Sequence, residues 1–78
     1  MSENKNIDPK EFLIFGLKHF EIDIVQIDNN VIHISNNYQI EIEGNQLYKL
    51  LHEGAVIAPF NSVEELCNFV KQDMKLNE

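Results

Sequence analysis

Seventy-eight residues, 44% hydrophobic and 24% charged, supply one apolar core and exclude both a disordered chain and a second domain. The net charge of −7, with six lysines and no arginine, excludes the basic footprint that grips nucleic acid or anionic lipid. Cys67 stands alone, which excludes an internal disulfide, and no apolar run approaches the roughly 20 residues of a membrane span.

The opening MSENKN lacks the basic-then-apolar order of a secretory signal. Together with the lone cysteine this sets the expectation of a cytoplasmic protein. Heavy use of Ile, Asn and Lys suits an AT-rich bacterial or phage genome. The whole chain, 1–78, reads as one small α+β domain with 1–6 and 75–78 frayed.

The first element is a helix over about 9–18. Asp8 suits its N-cap, Pro9 its first position, and Glu11 completes a capping box, with Ile7 and Phe12 at the positions of a hydrophobic staple. Phe12, Leu13, Ile14 and Phe15 are consecutive, so apolar groups point all round the axis, unlike a surface helix with one greasy side. Phe12, Leu13, Phe15, Leu17 and Phe20 cannot all reach a sheet, and Ile14 is the expected leftover. Gly16 weakens the helix and marks a close approach to a neighbour.

From Glu21 the period becomes two. EIDIVQID and VIHIS flank Asn29-Asn30, a residue pair that tolerates positive φ and suits a tight hairpin. That turn pairs Ile27 with Ile32 and Val25 with Ile34. Ile22 and Ile24 join the same face only through a bulge near 24–25. A short turn at Asn36-Asn37 puts Tyr38, Ile40 and Ile42 on the inner face. A three-residue loop at Gly44-Asn45 then sets Tyr48 against Ile42, Leu50 against Ile40, and Lys49 outside against Glu41. Glu53-Gly54 turns into AVIAPF, whose Pro59 cannot donate a ladder hydrogen bond and so belongs to an edge.

A second helix starts at Asn61-Ser62-Val63-Glu64-Glu65, with Ser62 and Glu65 as its capping box. Val63, Leu66, Cys67, Val70 and Met74 form its apolar face. The architecture is therefore α+β: an N-terminal helix, a four- to five-stranded antiparallel meander, and a C-terminal helix. Both helices lie on the isoleucine-rich face of the sheet.

The chemistry-bearing residues are scattered. His19, His33, His52 and Cys67 lack the paired spacing of a zinc site, and Cys67 reads as a small core hydrophobe. Ser62 and Ser35 are explained by a cap and a turn, and no G-x-S-x-G elbow occurs. Glu41 and Glu43 alternate onto an open sheet face where nothing raises a pKa for acid–base work. The glycines form no phosphate-cradling loop. The expectation is no enzyme, no metal and no cofactor.

Two surfaces remain as candidates. If Ile40, Ile42, Tyr48, Leu50 and Ile57 point inward, then Leu47, Leu51 and Val56 point outward with Val31 nearby, an apolar cluster on the uncovered face. With Ile14 these are the expected contact residues for a protein partner or a second copy. The alternative uses Glu21, Asp23, Asp28, Glu41 and Glu43 as an acidic face that mimics DNA and inhibits a basic nucleic-acid-binding protein, while the chain itself contacts neither nucleic acid nor membrane.

Overall fold

Alternation along the middle of the chain builds a single sheet. In the computed structural model, which describes residues 8–44 and 47–76, five antiparallel strands lie in chain order between two helices: α1 (Pro9–His19), β1 (Ile24–Ile27), β2 (Val31–Ile34), β3 (Tyr38–Ile42), β4 (Tyr48–His52), β5 (Ala55–Phe60) and α2 (Val63–Leu76). The expectation of an α+β meander with a helix at each end is met. Lys75 and Leu76 are helical rather than frayed, while the staple residue Ile7 and residues 1–6 lie outside the described residues.

The inner face is set by parity. Ile32, Ile34, Tyr38, Ile40, Tyr48 and Leu50 are buried and pack with Leu13 and Leu17 of α1 and with Val63, Leu66, Cys67 and Val70 of α2. Both helices therefore share this face. The register across β2, β3 and β4 follows the alternation: Ile32 faces Ile40, Ile40 faces Leu50 and Ile42 faces Tyr48, with Glu41 opposite Lys49 on the other side. Tyr38 fastens α2 to the sheet, because its buried ring sends the hydroxyl to donate to the Asp73 carboxylate.

The turns place left-handed backbone differently from expectation. Asn29 and Asn30 stay at negative φ, and the β1–β2 hairpin closes with the Asp28 amide donating to the Val31 carbonyl at 2.8 Å. Positive φ falls instead on Asn36 and Asn37 (63° and 66°), with the Tyr38 amide donating to the Ser35 carbonyl, and on Glu53 and Gly54 (53° and 85°). Two successive left-handed residues match the twist of the flanking strands, as hairpins prefer.

Two bulges correct the strand parity. Ile24 faces Ile34 and Gln26 faces His33, so Val25 is the extra residue. This turns Ile24 toward the core beside buried Ile22 and leaves Val25 69% exposed rather than paired with Ile34. On β5, Leu51 faces Val56 while Leu50 faces Ala58, so Ile57 is extra. Ile57, placed inside by strict alternation, is 38% exposed, while Phe60, opposite Tyr48, packs against the core. Both bulges sit on the sheet's edge strands, where they bend the edge away from further pairing.

Helix α1 begins at the expected Asp8-Pro9 start. The Asp8 carboxylate accepts from the Lys10 amide at 3.0 Å, and Pro9 occupies the first turn. It ends in a Schellman motif: the Ile22 amide donates to the Leu17 carbonyl at 2.8 Å and the Glu21 amide to Lys18 at 3.0 Å. Glu21 stands at φ 60° where glycine is usual. Buried Ile22 and Leu17 supply the hydrophobic contact of the motif. Helix α2 is capped by Ser62, whose Oγ accepts from the Glu65 amide at 3.3 Å.

Candidate functional site

Three surface regions gather the residues that bear on function. The first is the outer sheet face. Here Asp28, Gln26, His33 and Gln39 form a chain of hydrogen bonds. The Gln26 amide donates to Asp28 Oδ1 at 2.9 Å, His33 Nε2–H donates to Asp28 Oδ2 at 2.9 Å, and the Gln39 amide donates to His33 Nδ1 at 3.3 Å. The Gln26 hydrogen bond, then that of His33, holds the Asp28 carboxyl below its ordinary 3.8. A lowered carboxyl stabilises the fold above its unfolded pKa, and that contribution is lost as pH falls through the lower folded value.

Gln26, His33 and Gln39 border a shallow cleft of about 360 Å³ with Ser35, Asn36, Asn37 and Glu53. Both ring nitrogens of His33 are hydrogen-bonded within this group, Nε2 to Asp28 and Nδ1 to Gln39. Among the described residues no group of three His, Cys, Asp or Glu side chains could hold a metal ion. His52 lies at the inner end of β4, its ring stacked on Tyr38 at 4.3 Å and its Nε2 donating to the Asn36 carbonyl at 3.1 Å. Cys67 is buried among the helices, and desolvation pushes its thiol up to about 11, which keeps it protonated and a poor nucleophile at neutral pH.

The expected apolar patch is also on this face, but charge divides it. Leu51 and Val56 are direct neighbours across β4–β5, half-buried and 57% exposed. Leu47, beside the β3–β4 turn, is separated from Leu51 by Lys49. Lys49 Nζ lies 2.8 Å from Glu43 and 4.0 Å from Glu41. Val31 is half-buried and faces Glu41, which intervenes between it and β4.

The same lysine reshapes the second region, the acidic set. Glu41 and Glu43 share Lys49, and the Glu43 hydrogen bond raises the Lys49 pKa. Asp28 is bound by its polar neighbours on the outer face. Glu21 and Asp23 are exposed at the other end of β1, where the Asp23 carbonyl accepts from Ser35. The five carboxylates thus form three separate groups instead of one row.

The third region is the outward side of α1. Leu13 and Leu17 are fully buried, and Gly16 meets α2: a Cβ there would lie 2.4 Å from Val63 Cγ1. At roughly 100° per residue, Ile14 falls about 60° from Leu17, on the rim of the buried face. It packs against the core, so it is not the leftover side chain. Phe15 falls roughly 160° from Leu17 and points away. It is 67% exposed, Phe12 one turn earlier is 46% exposed, and His19 stacks on Phe15 with ring centroids 6.4 Å apart. A wheel centred on Leu13, Leu17 and Phe20 is the signal in the sequence that singles out this stripe; four consecutive apolar residues obscured it.

Among the described residues, no helix is long and apolar enough to cross a membrane. No protein-family model, curated protein or solved structure matches this chain.

Proposed function

We propose that this protein is a small, non-catalytic binding module that recognises another protein through helix α1. One observation carries the reading: Phe12 and Phe15 stand exposed on a single helical stripe, whereas Phe20, Tyr38, Tyr48, Phe60 and Phe69 are all buried in the core or packed against it. A large ring left in water forgoes about 1.5–3 kcal/mol of burial, and two aligned rings are the kind of anchor that dominates interface energies. The committed hydrogen bonds of His33 and the protonated, enclosed Cys67 support the non-catalytic part.

The outer sheet face is the weaker contact surface, because the Glu43–Lys49–Glu41 group interrupts its apolar residues. The acidic-inhibitor reading draws less support for the same reason: Lys49 offsets two of the carboxylates that would imitate phosphates.

The test is affinity capture from the native host with three baits: wild type, Phe12→Ser/Phe15→Ser, and Leu51→Glu/Val56→Glu. The expected result is one partner retained by wild type and the sheet-face variant and lost by the helix variant. Loss with the sheet-face variant alone moves the interface to the β-sheet. No partner on any bait overturns the binding-module reading.

A further inference from the structure

We infer that the occupant of the Phe12–Phe15 stripe is a basic amphipathic helix of a different protein, and not a second copy of this chain. The inference rests on the binding-module reading and specifies its partner.

Shape comes first. Phe12 and Phe15 lie one turn apart along α1, roughly 4.5 Å in rise, with His19 continuing the line beyond Phe15. A ridge of this form is covered along its length by a helix laid beside it, as helix ridges fill helix grooves. The far side of α1 is already taken: Leu13 and Leu17 enter the core, and Gly16 abuts Val63.

Charge then selects the occupant. Asp8 and Glu11 are exposed in the cap and first turn of α1, the latter one turn before Phe15 on the same side. Glu64 and Glu65 are exposed in the first turn of α2, directly after the Val63 that meets Gly16. Of the lysines on α1, Lys10 is turned to the β1–β2 hairpin, where Nζ donates to the carbonyls of Asp28 and Asn29 at 3.2 and 3.1 Å; Lys18 alone stays on the exposed side. The exposed side of α1 thus carries two carboxylates to one lysine, with two more carboxylates at the start of α2, on a chain of net charge −7. A second copy brings the same sign and is repelled, while lysines on a partner helix are attracted and accelerate encounter.

The experiment uses the full ¹⁵N-labelled chain and two synthetic helical peptides of equal length, one of leucine and lysine and one of leucine and glutamate. The lysine peptide is expected to shift the amides of Phe12, Phe15, Gly16 and His19, with affinity falling about tenfold or more from low to high salt. The glutamate peptide is expected to shift none. Phe12→Ser/Phe15→Ser is expected to abolish the shifts while the rest of the spectrum, and hence the fold, is unchanged. Equal binding of both peptides, shifts confined to Leu51 and Val56, binding retained by the double variant, or no binding of either peptide overturns the inference. A wild-type dimer in sedimentation that Phe15→Ser dissolves overturns it in favour of a second copy. None of these peptide outcomes alters the capture result, which judges the binding-module reading on its own.

Discussion

Helix α2 spaces Val63, Leu66, Cys67 and Val70 so that one stripe is buried and Glu64, Glu65, Asn68 and Lys71 face water. Helix α1 offers apolar groups on every side and buries Leu13 and Leu17 completely while Phe12 and Phe15 stay out. The contrast separates two uses of apolar residues. On α2 the apolar residues from Val63 to Met74 are buried in the core or packed against it, and only Leu76 in the last turn stands in water. On α1 the apolar supply exceeds what the sheet and α2 can cover, and the surplus is aromatic and aligned. A stable domain does not need that surplus, which is why the proposed contact is placed on α1 and not on α2.

The contrast can be broken most forcefully at Leu66. It is fully buried on α2, and Leu66→Ala removes its contacts and leaves a cavity. The expected cost is about 2–5 kcal/mol, a large fraction of the stability of a domain this size, read by urea denaturation. Phe15→Ser on α1 should stay within about 0.5 kcal/mol of wild type in the same assay, since its ring is mostly solvated. Similar costs at the two sites would mean that the α1 stripe is structural after all.

A smaller effect is expected where the helices meet. Gly16→Ala ordinarily stabilises a helix by about 1 kcal/mol. Here the new methyl collides with Val63 Cγ1, which is buried on a short β-branched side chain and cannot swing aside. The clash should win, for a net loss of about 1–2 kcal/mol. Adding Val63→Ala should recover part of that loss, so a double-mutant cycle should return a coupling above about 0.5 kcal/mol. Strict additivity would show that the helices do not touch at this point.

At the end of α1 the expected effect has the opposite sign. Glu21→Gly relieves a left-handed residue and removes a carboxylate from the negative end of the α1 dipole. A gain of about 1 kcal/mol should appear as a higher thermal midpoint. A loss would indicate that the Glu21 side chain makes a contact of its own.

Much of the fold was legible because it follows from short-range rules. Asp8-Pro9 and Ser62 with Glu65 announced both helix starts, and both caps form. The alternation from Tyr38 to Ile42 and from Tyr48 to Leu50 set a register that the ladder reproduces pair by pair. Less of the candidate surface was legible. Leu51 and Val56 do meet across β4–β5, but Lys49 stands between Leu51 and Leu47, and Glu41 between Val31 and β4, because outer-face neighbours come from adjacent strands as well as from the same one. The exchange of Ile14 for Phe15 has a related origin: four consecutive apolar residues leave the rotation of a helix undefined until a neighbour takes one side.

By itself, then, the order of residues determined where each helix begins, which strand residues share a face, and that the core would be rich in isoleucine and leucine. Those outcomes depend on caps, on a period of two and on hairpin lengths, all local in the chain. Only the tertiary structure decided which apolar residues stay in water. Docking Gly16 against Val63 fixed the rotation of α1, and the extra residues Val25 and Ile57 reset the parity of both edge strands. The first depends on contact between segments distant in sequence, whereas the bulges lie within hairpins but break the strict alternation from which the faces are read.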